Sequence, residues 1–277
     1  MKIFVTGGTG FIGSHFLAQA LASGREVIAL KRMGGLPRIK LPAQPQWLER
    51  EMPEVTVGDL QGSQILVHLA AHSANVPYDT LGECLRWNVF ESCSLFEKAI
   101  LAGVRRFIVA GSCFEYGKSG ERYDFIPVNA PLEPAQSYPI SKAAASIALA
   151  GLAREKNLEM LILRIFQVFG EGELESRFWP LLRKAALAGK DFPMTAGEQV
   201  RDFIPVEQVA EIFVNSLSRT DLKPGTPIIE NVGTGEPRTL RAFAEHWWRH
   251  WNAKGKLLIG TVPYRENEVM RYVPLMS

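Results

Sequence analysis

The sequence predicts an α/β fold with a doubly wound parallel sheet, and two observations carry this prediction. Short apolar runs alternate with longer segments of helical periodicity. The first of these runs leads through a glycine turn directly into a helix-like segment. A chain of 277 residues with 47% hydrophobic and 22% charged residues can bury the core that such a fold needs. We expect the main sheet in residues 1–170 and a smaller C-terminal α/β lobe in residues 171–277, with the chain crossing back around 200–232.

The glycine turn near the N-terminus is the most informative single pattern. An apolar run is followed by GGTGFIG and by a periodic segment that begins at Phe11. Gly8, Gly10 and Gly13 match the G-x-G-x-x-G fingerprint, and Gly7 gives a variant with one more residue in the turn. Glycines let the backbone approach a pyrophosphate, and the new helix directs N–H groups and its dipole at the phosphates. The turn predicts a Rossmann-type dinucleotide site, the alternative being an ordinary strand-to-helix turn.

Two cations, Lys31 and Arg32, follow the second predicted strand at 26–30. Sites for the unphosphorylated dinucleotide usually place a carboxylate there, on the ribose 2′-hydroxyl. Two cations instead favour a 2′-phosphate, which arginine can bind through two parallel hydrogen bonds. The pattern predicts NADP, with NAD as the weaker candidate; a solvated surface pair is the alternative.

The predicted sheet continues with strands at 55–57, 65–69 and 107–110. Several prolines between residues 33 and 53 favour a loop with short helical pieces there. A long helix is expected from Thr80 to Ala102, since apolar residues recur with helical spacing and a glycine follows.

Small residues at the end of the strand at 65–69, Ala70 and Ala71, leave room for a cofactor above the sheet. Asp59 could accept a hydrogen bond from an adenine amino group, although a turn residue needs no such role.

Composition narrows the class of ligand. A net charge of +2 without a dense basic run indicates neither nucleic acid nor a membrane surface. Cys84, Cys93 and Cys113 form no metal or disulfide pattern, and the N-terminus lacks a signal layout, so we expect a cytoplasmic protein. His246 and His250 have the spacing of a metal pair but no third ligand, so no metal site is predicted.

The C-terminal third predicts a helix around Phe178 with the basic residues Arg177, Arg183 and Lys184. They favour an anionic diphosphate, the alternative being a solvated helix face. Further elements are expected as a strand at 200–204, a helix at 206–217, a strand at 228–232 and a helix at 240–252.

Three residues could carry chemistry beyond the glycine turn. Tyr138 and Lys142 are four apart at the start of an alanine-rich segment, so they lie on one helix face. A nearby ammonium favours the phenolate and lowers the pKa of a tyrosine, which makes this pair a candidate acid–base couple. Ser112 follows the fifth strand. Most Y-x-x-x-K pairs are ordinary helix neighbours, so the pattern alone decides nothing.

Seven short motifs occur in a fixed order along the chain. The segments are TGGTGFIG near the start, HLAA at 68–71, Asn88-Val89, GSCFEYG at 111–117, YPISK at 138–142, LRIFQVFG at 163–170 and QVRDFIPVEQVA at 199–210. In this order they resemble the extended short-chain dehydrogenase/reductases that act on nucleotide sugars, the NAD-dependent epimerase/dehydratase family.

The resemblance implies roles for individual residues. Ser112 and Tyr138 match the catalytic serine or threonine and the catalytic tyrosine. Lys142 matches the lysine that holds the nicotinamide ribose and lowers the tyrosine's pKa, and Asn88 matches an asparagine beside the active site. Arg164 matches a contact to the carbonyl-bearing loop. The predicted cofactor contacts are Gly7, Gly8, Thr9, Gly10, Phe11, Ile12, Gly13, Lys31, Arg32, Asp59, Leu60, Leu69, Ala70, Ala71, Asn88, Tyr138, Lys142 and Ile165. The predicted substrate contacts are Ser73, Cys113, Phe114, Gln167, Arg177 and Arg201.

Departures from the family pattern narrow the reaction. The family's 4,6-dehydratases carry Asp-Glu where this chain has Cys113 and Phe114, which argues against dehydration. Phe114 also stands where the GDP-fucose synthases have a cysteine, so Cys113 is expected to be a packed thiol. Gln167 replaces the usual asparagine near the substrate phosphates.

We therefore expect an NADP-dependent reductase of a nucleotide-activated 4-keto-6-deoxyhexose. The alternatives are an NAD-dependent nucleotide-sugar 4-epimerase, a reductase of another ketone, and a dinucleotide-binding regulator without turnover. The resemblance also implies a homodimer, and no nucleic acid or membrane partner is expected.

Overall fold

The described part of the chain comprises residues 1–266 and 268–276 of a computed structural model. Its strands are β1 (Lys2–Thr6), β2 (Glu26–Lys31), β3 (Gln46–Glu49), β4 (Ile65–His68), β5 (Arg106–Ser112), β6 (Glu159–Ile165), β7 (Gln167–Phe169), β8 (Phe192–Met194), β9 (Val200–Arg201), β10 (Phe203–Pro205), β11 (Ile228–Val232), β12 (Arg238–Thr239), β13 (Leu257–Ile259) and β14 (Arg271–Tyr272). Its α-helices are α1 (Phe11–Ala22), α2 (Val57–Leu60), α3 (Leu81–Leu85), α4 (Glu91–Leu101), α5 (Ser137–Glu155), α6 (Phe178–Leu187), α7 (Val206–Ser216) and α8 (Leu240–His250). Short 3-10 helices cover Met52–Glu54, Cys113–Tyr116 and Lys118–Arg122, and a π turn covers Arg86–Phe90.

Seven parallel strands form the main sheet in the order β11-β6-β5-β4-β1-β2-β3. Side chains alternate between its faces. Ile3 and Val5 pack in a core with residues of α1 and α7, while Phe4 packs in the opposite core with residues of α4 and α5. The strand order reverses between β1 and β4, so a crevice is expected beyond their carboxyl ends. This topology confirms the predicted doubly wound sheet.

The third strand lies elsewhere than the sequence predicts. Strand β3 pairs in parallel with β2, inside the segment predicted to be a loop, and its Trp47 and Leu48 pack against the two cores. The prediction of a strand at 55–57 is wrong because Thr56 begins α2. Its hydroxyl accepts a hydrogen bond from the Asp59 N–H, and the Asp59 carboxylate accepts one from the Thr56 N–H.

The predicted helix at 80–102 is continuous but contains one π turn. Helix α3, the π turn and α4 follow one another without a break, and Thr80 caps the start by accepting from the Glu83 N–H. A π turn adds a residue to one helical turn and often marks a functional position. Here it contains Asn88, whose side chain is buried.

The C-terminal elements divide between two places. Helix α7 packs with α1, and β11 extends the main sheet beside β6. Helices α6 and α8 share a separate cluster that includes Leu182, Ala186 and Trp248. The strand predicted at 200–204 is in fact two short strands, β9 and β10, separated by the buried Asp202. The domain boundaries stay a prediction. Among the described residues, no helix has both the length and the apolar character required to cross a membrane.

Candidate active site

The glycine turn between β1 and α1, residues 7–13 and called here the glycine cradle, packs too closely against its own backbone for side chains at Gly7 and Gly13. Gly7 has a φ of +72°, and a Cβ there would lie 2.5 Å from the Ala70 backbone nitrogen. A Cβ on Gly13 would collide with the Gly7 carbonyl oxygen. Gly10 is the N-cap of α1 and provides no side-chain cap, so the first N–H groups of the helix can bind a ligand. The glycine cradle can therefore offer the N–H groups at the start of α1 to the pyrophosphate of a dinucleotide.

The end of β2 carries a carboxylate as well as cations. The Lys31 ammonium lies 2.7 Å from Glu49 Oε2, and the Gly34 N–H donates to Glu49 Oε1 at 3.4 Å. Glu49 ends β3, and cross-strand pairing places it opposite Lys31. Arg32 is exposed. The two predicted cations are thus an exposed arginine and a lysine whose charge is balanced by Glu49, a residue that the sequence pattern did not indicate.

The predicted adenine contacts follow the same edge. Asp59 Oδ2 accepts hydrogen bonds from the Arg50 guanidinium and the Thr56 N–H, at 2.8 Å each. Leu60 is fully buried in the core, so only its backbone can face a cofactor. The predicted contacts after β4 are the half-buried Leu69 and Ala70 and the exposed Ala71, and the buried Ile165 ends β6.

Ser112, Tyr138 and Lys142 lie together at the carboxyl edge of the sheet. Ser112 ends β5, Tyr138 lies in the first turn of α5, and Lys142 follows one turn later. Their exposed fractions are 6%, 7% and 4%. The Lys142 ammonium donates to the Ala110 carbonyl at 2.8 Å, which ties α5 to the end of β5.

Burial dominates the protonation of this group. It raises the pKa of Tyr138, while the hydrogen bond with the Ser112 side chain acts in the opposite direction. Burial also lowers the pKa of Lys142. The sequence predicts that Lys142 lowers the pKa of Tyr138, but the hydrogen bond of its ammonium goes to Ala110 and the desolvation of the phenol has the larger effect. Tyr138 is therefore protonated near neutral pH and can donate a proton.

A buried ion pair between Glu115 and Arg164 holds the backbone of Ser112. Glu115 Oε1 accepts from the Ser112 N–H at 2.8 Å, and its Oε2 accepts from Arg164 Nε at 2.8 Å. Arg164 also donates to the Val128 carbonyl and the Tyr116 hydroxyl, at 2.9 and 3.1 Å. Glu115 was not singled out from the sequence, although S-x-x-E is a capping-box pattern that could have indicated it.

Asn88 connects α5 to the loop after β4. Its Oδ1 accepts from the His72 N–H at 2.7 Å, and its Nδ2 donates to the His72 carbonyl at 3.1 Å and to Ser141 Oγ at 2.9 Å. Ser141 in turn donates to the Tyr138 carbonyl at 2.8 Å. The π turn thus positions the helix that carries Tyr138, so Asn88 acts here through protein contacts.

His68 is a buried histidine near Lys142. The rings of His68 and Phe96 are in edge contact, and His68 forms hydrogen bonds with Thr6 and Ser92 at 2.8 and 3.1 Å. Burial, with the charge of Lys142 in addition, lowers the pKa of His68 to about 3. His68 is therefore neutral in the folded protein.

His68 should make folding sensitive to mild acid. Its pKa falls from 6.5 in the unfolded chain to about 3 in the folded one. Below pH 6.5 the unfolded state binds a proton that the folded state does not, so the stability present above pH 6.5 is lost as the pH falls. We expect a loss of about 2 kcal/mol between pH 7.5 and pH 5 from this residue. Urea unfolding of the wild type and of His68→Asn at both pH values measures it. If the free energy of unfolding changes equally between the two pH values in the wild type and in His68→Asn, the assignment is wrong. His246→Asn, at an exposed histidine, is the control and should behave as the wild type does.

The predicted substrate residues around Ser112 are Cys113 and Phe114. Burial raises the pKa of the Cys113 thiol to about 12, so this group is a packed thiol without acid–base chemistry near neutral pH. Phe114 is 38% exposed. Tyr78, which the sequence did not indicate, places its ring centroid 5.4 Å from that of Tyr138.

The other predicted substrate residues come from separate parts of the chain: Ser73 follows β4, Gln167 begins β7, Arg177 precedes α6 and Arg201 ends β9. Arg177 donates to Glu173 and to Asn75, both at 3.3 Å. Arg201 lies 3.2 Å from Glu268 and also donates to the Val269 carbonyl, so its charge is already partly matched. Ser73 and Gln167 are half-buried. The roles of these residues stay predictions.

Comparisons with known proteins place the chain among relatives of this architecture. The model of the NAD dependent epimerase/dehydratase family matches residues 3–233. The chain belongs to this family. The membership confirms the resemblance seen in the motifs.

Individual members of the family differ in what they do. A UDP-glucose 4-epimerase of Corynebacterium glutamicum is 26% identical over 88% of this chain and 79% of its own length. A CDP-abequose synthase of Salmonella muenchen is 26% identical over 97% of this chain and 87% of its own length. The solved structure of MoeE5 with UDP-glucuronic acid and NAD is 26% identical, covers 100% of this chain and 90% of its own, and has a TM-score of 0.84.

Proposed function

We propose that this protein is an NADP-dependent reductase of a nucleotide-activated 4-keto-6-deoxyhexose. The observation that carries the proposal is the buried Tyr138 side chain, hydrogen-bonded with Ser112, on the sheet edge where the glycine cradle also lies. Nucleotide-sugar chemistry is supported by the names of the relatives, and a nicotinamide dinucleotide by the NAD bound in MoeE5.

The residues divide the work as follows. A nicotinamide dinucleotide supplies the hydride when it is bound, and the glycine cradle would hold its pyrophosphate. Charge develops on the sugar oxygen as its carbonyl carbon is reduced. Tyr138 donates its proton to that oxygen, and the Ser112 hydroxyl stabilises it by a hydrogen bond. The positive charge of Lys142, one helical turn after Tyr138, then stabilises the phenolate that remains.

The direct test is NADPH oxidation with 4-keto-6-deoxyhexoses carried on UDP, dTDP, GDP and CDP. We expect one of them to consume one NADPH per sugar reduced. Conversion of a nucleotide sugar into its 4-epimer without net NADPH consumption would contradict the proposal.

A second candidate, an NAD-dependent nucleotide-sugar 4-epimerase, is favoured by Glu49. This residue ends β3, and its carboxylate lies against Lys31 at the end of β2, the strand end at which NAD sites hold the ribose 2′-hydroxyl. An epimerase regenerates its cofactor in each cycle, so purified protein that retains NAD through gel filtration would favour it. The homodimer and the cytoplasmic location stay predictions.

The charges at the end of β2 should set the cofactor preference. We expect Arg32→Ala to weaken NADPH binding by about tenfold to a hundredfold because it removes a charge-assisted hydrogen bond to the 2′-phosphate. Glu49→Gln should strengthen NADPH binding, since it releases the charge of Lys31. Fluorescence titration with NADPH and NADH measures both effects. Unchanged NADPH binding in Arg32→Ala, with weaker NADH binding in Glu49→Gln, would support NAD instead.

A further inference from the structure

The segment 72–80, called here the 72–80 loop, joins β4 to α3 and is held at both ends. The His72 N–H donates to Asn88, as described above. The Asp79 N–H donates to Ser73 Oγ at 2.7 Å, and the Ser137 hydroxyl donates to the Asp79 carbonyl at 2.6 Å. Ser137 directly precedes Tyr138, so the loop is fastened to the start of the helix that carries the proton donor.

Tyr78 is the residue that this loop places against Tyr138. Their ring centroids are 5.4 Å apart and their planes are inclined by 33°. Positions 74–77 of the loop are exposed, whereas Tyr78 is half-buried. Burial raises the pKa of Tyr78, while the positive charges of Arg177 and Arg265 act in the opposite direction. The same loop also contacts a predicted substrate residue, since the Asn75 side chain accepts a hydrogen bond from Arg177 at 3.3 Å. Tyr78 thus reaches the proposed proton donor from a loop that also binds Arg177.

We propose that Tyr78 is a specificity-determining residue whose ring packs against the sugar of a nucleotide-sugar substrate and holds that sugar beside Tyr138. This inference rests on the proposed substrate class. One face of a hexose ring presents mainly C–H groups, and an aromatic ring is the side chain that covers such a face with little loss of conformational entropy. The fastened loop keeps the ring in place before the substrate arrives, which reduces the cost of binding.

The role predicts an effect on the sugar and none on the nucleotide. Calorimetric titrations of the full-length protein with UDP, dTDP, GDP and CDP, and with the glucose derivative of each, give the gain in affinity that the sugar provides. For the best-bound pair we expect Tyr78→Ala to reduce this gain by about tenfold. Tyr78→Phe keeps the ring and should stay within about twofold of the wild type, as should the binding of the nucleoside diphosphate to all variants. Tyr78→Leu provides the same readout if Tyr78→Ala does not fold.

Each outcome decides one of two questions. A Tyr78→Ala protein that binds the nucleotide sugar as the wild type does, or that loses the nucleoside diphosphate equally, overturns the role of Tyr78. A wild type that binds none of the eight ligands overturns the proposed function and this inference with it. If Tyr78→Ala loses the affinity that the sugar provides, but the wild type oxidises NADPH with none of the 4-keto sugars, the role of Tyr78 stands. Only the proposal of a reductase is then overturned.

Discussion

Replacement of Tyr138 by phenylalanine should lower kcat by about 10²-fold to 10⁴-fold, the range expected when a general acid is removed. The phenol is buried beside Ser112 and is protonated near neutral pH, so it is available to the sugar oxygen. The ring remains in Tyr138→Phe, so the contact with Tyr78 and the affinity for substrate should change little. Single-turnover measurement of NADPH oxidation reports the chemical step directly.

The pH dependence of the wild type provides a second readout of the same residue. Because burial raises the pKa of Tyr138, the proton donor stays in its active form as the pH rises past neutral. The rate of sugar reduction should therefore be flat through neutral pH and fall only under alkaline conditions. Tyr123→Phe, in the aromatic cluster around Tyr116, is the matched control and should retain near-normal turnover. Near-normal turnover in Tyr138→Phe would remove the proposed acid.

The second large effect concerns the ion pair beneath Ser112. Arg164→Met should lower the free energy of unfolding by about 3–5 kcal/mol, because it leaves the fully buried Glu115 carboxylate without its partner. Turnover should fall too, since Glu115 holds the Ser112 N–H. Urea unfolding measures the first effect.

Two further variants isolate the contribution of the Arg164–Glu115 pair to the free energy of unfolding. Arg86→Met breaks long surface pairs of a 55% exposed arginine with Glu83 and Glu91, so it should cost less than about 1 kcal/mol. The double variant Glu115→Gln, Arg164→Met removes both charges and should recover part of the lost stability. If Arg164→Met and Arg86→Met unfold at the same urea concentration, the pair does not contribute as described.

The sequence predicted the parts of the fold that depend on local pattern. The glycine turn indicated β1 and α1, and the apolar run at 65–69 indicated β4, because buried parallel strands are apolar along their whole length. Strand β3 escaped prediction because an edge strand between prolines has little apolar pattern and is defined by its pairing with β2. Thr56 and Asp59 formed a capping box that the strand prediction overlooked.

The candidate site divides in the same way. The motif spacing indicated Ser112, Tyr138 and Lys142. Tyr138 and Lys142 share one helix face, and Ser112 lies at a strand end. Glu49 and Tyr78 were not predicted, because they reach the site through cross-strand pairing and through the path of a loop. The direction of the Lys142 hydrogen bond also depends on distances between elements that are far apart in the sequence.

The position of β11 beside β6 limits how the chain can be dissected. A fragment that stops before β11 would leave β6 as an unpaired edge, and without α7 the apolar side of α1 would face water. The segments that form the smaller cluster around Leu182 and Trp248 flank this returning strand in sequence. The chain therefore alternates between the main sheet and the cluster around Leu182 and Trp248. Variants with exchanged specificity are better built by grafting loops onto the intact chain than by fusing separately produced fragments.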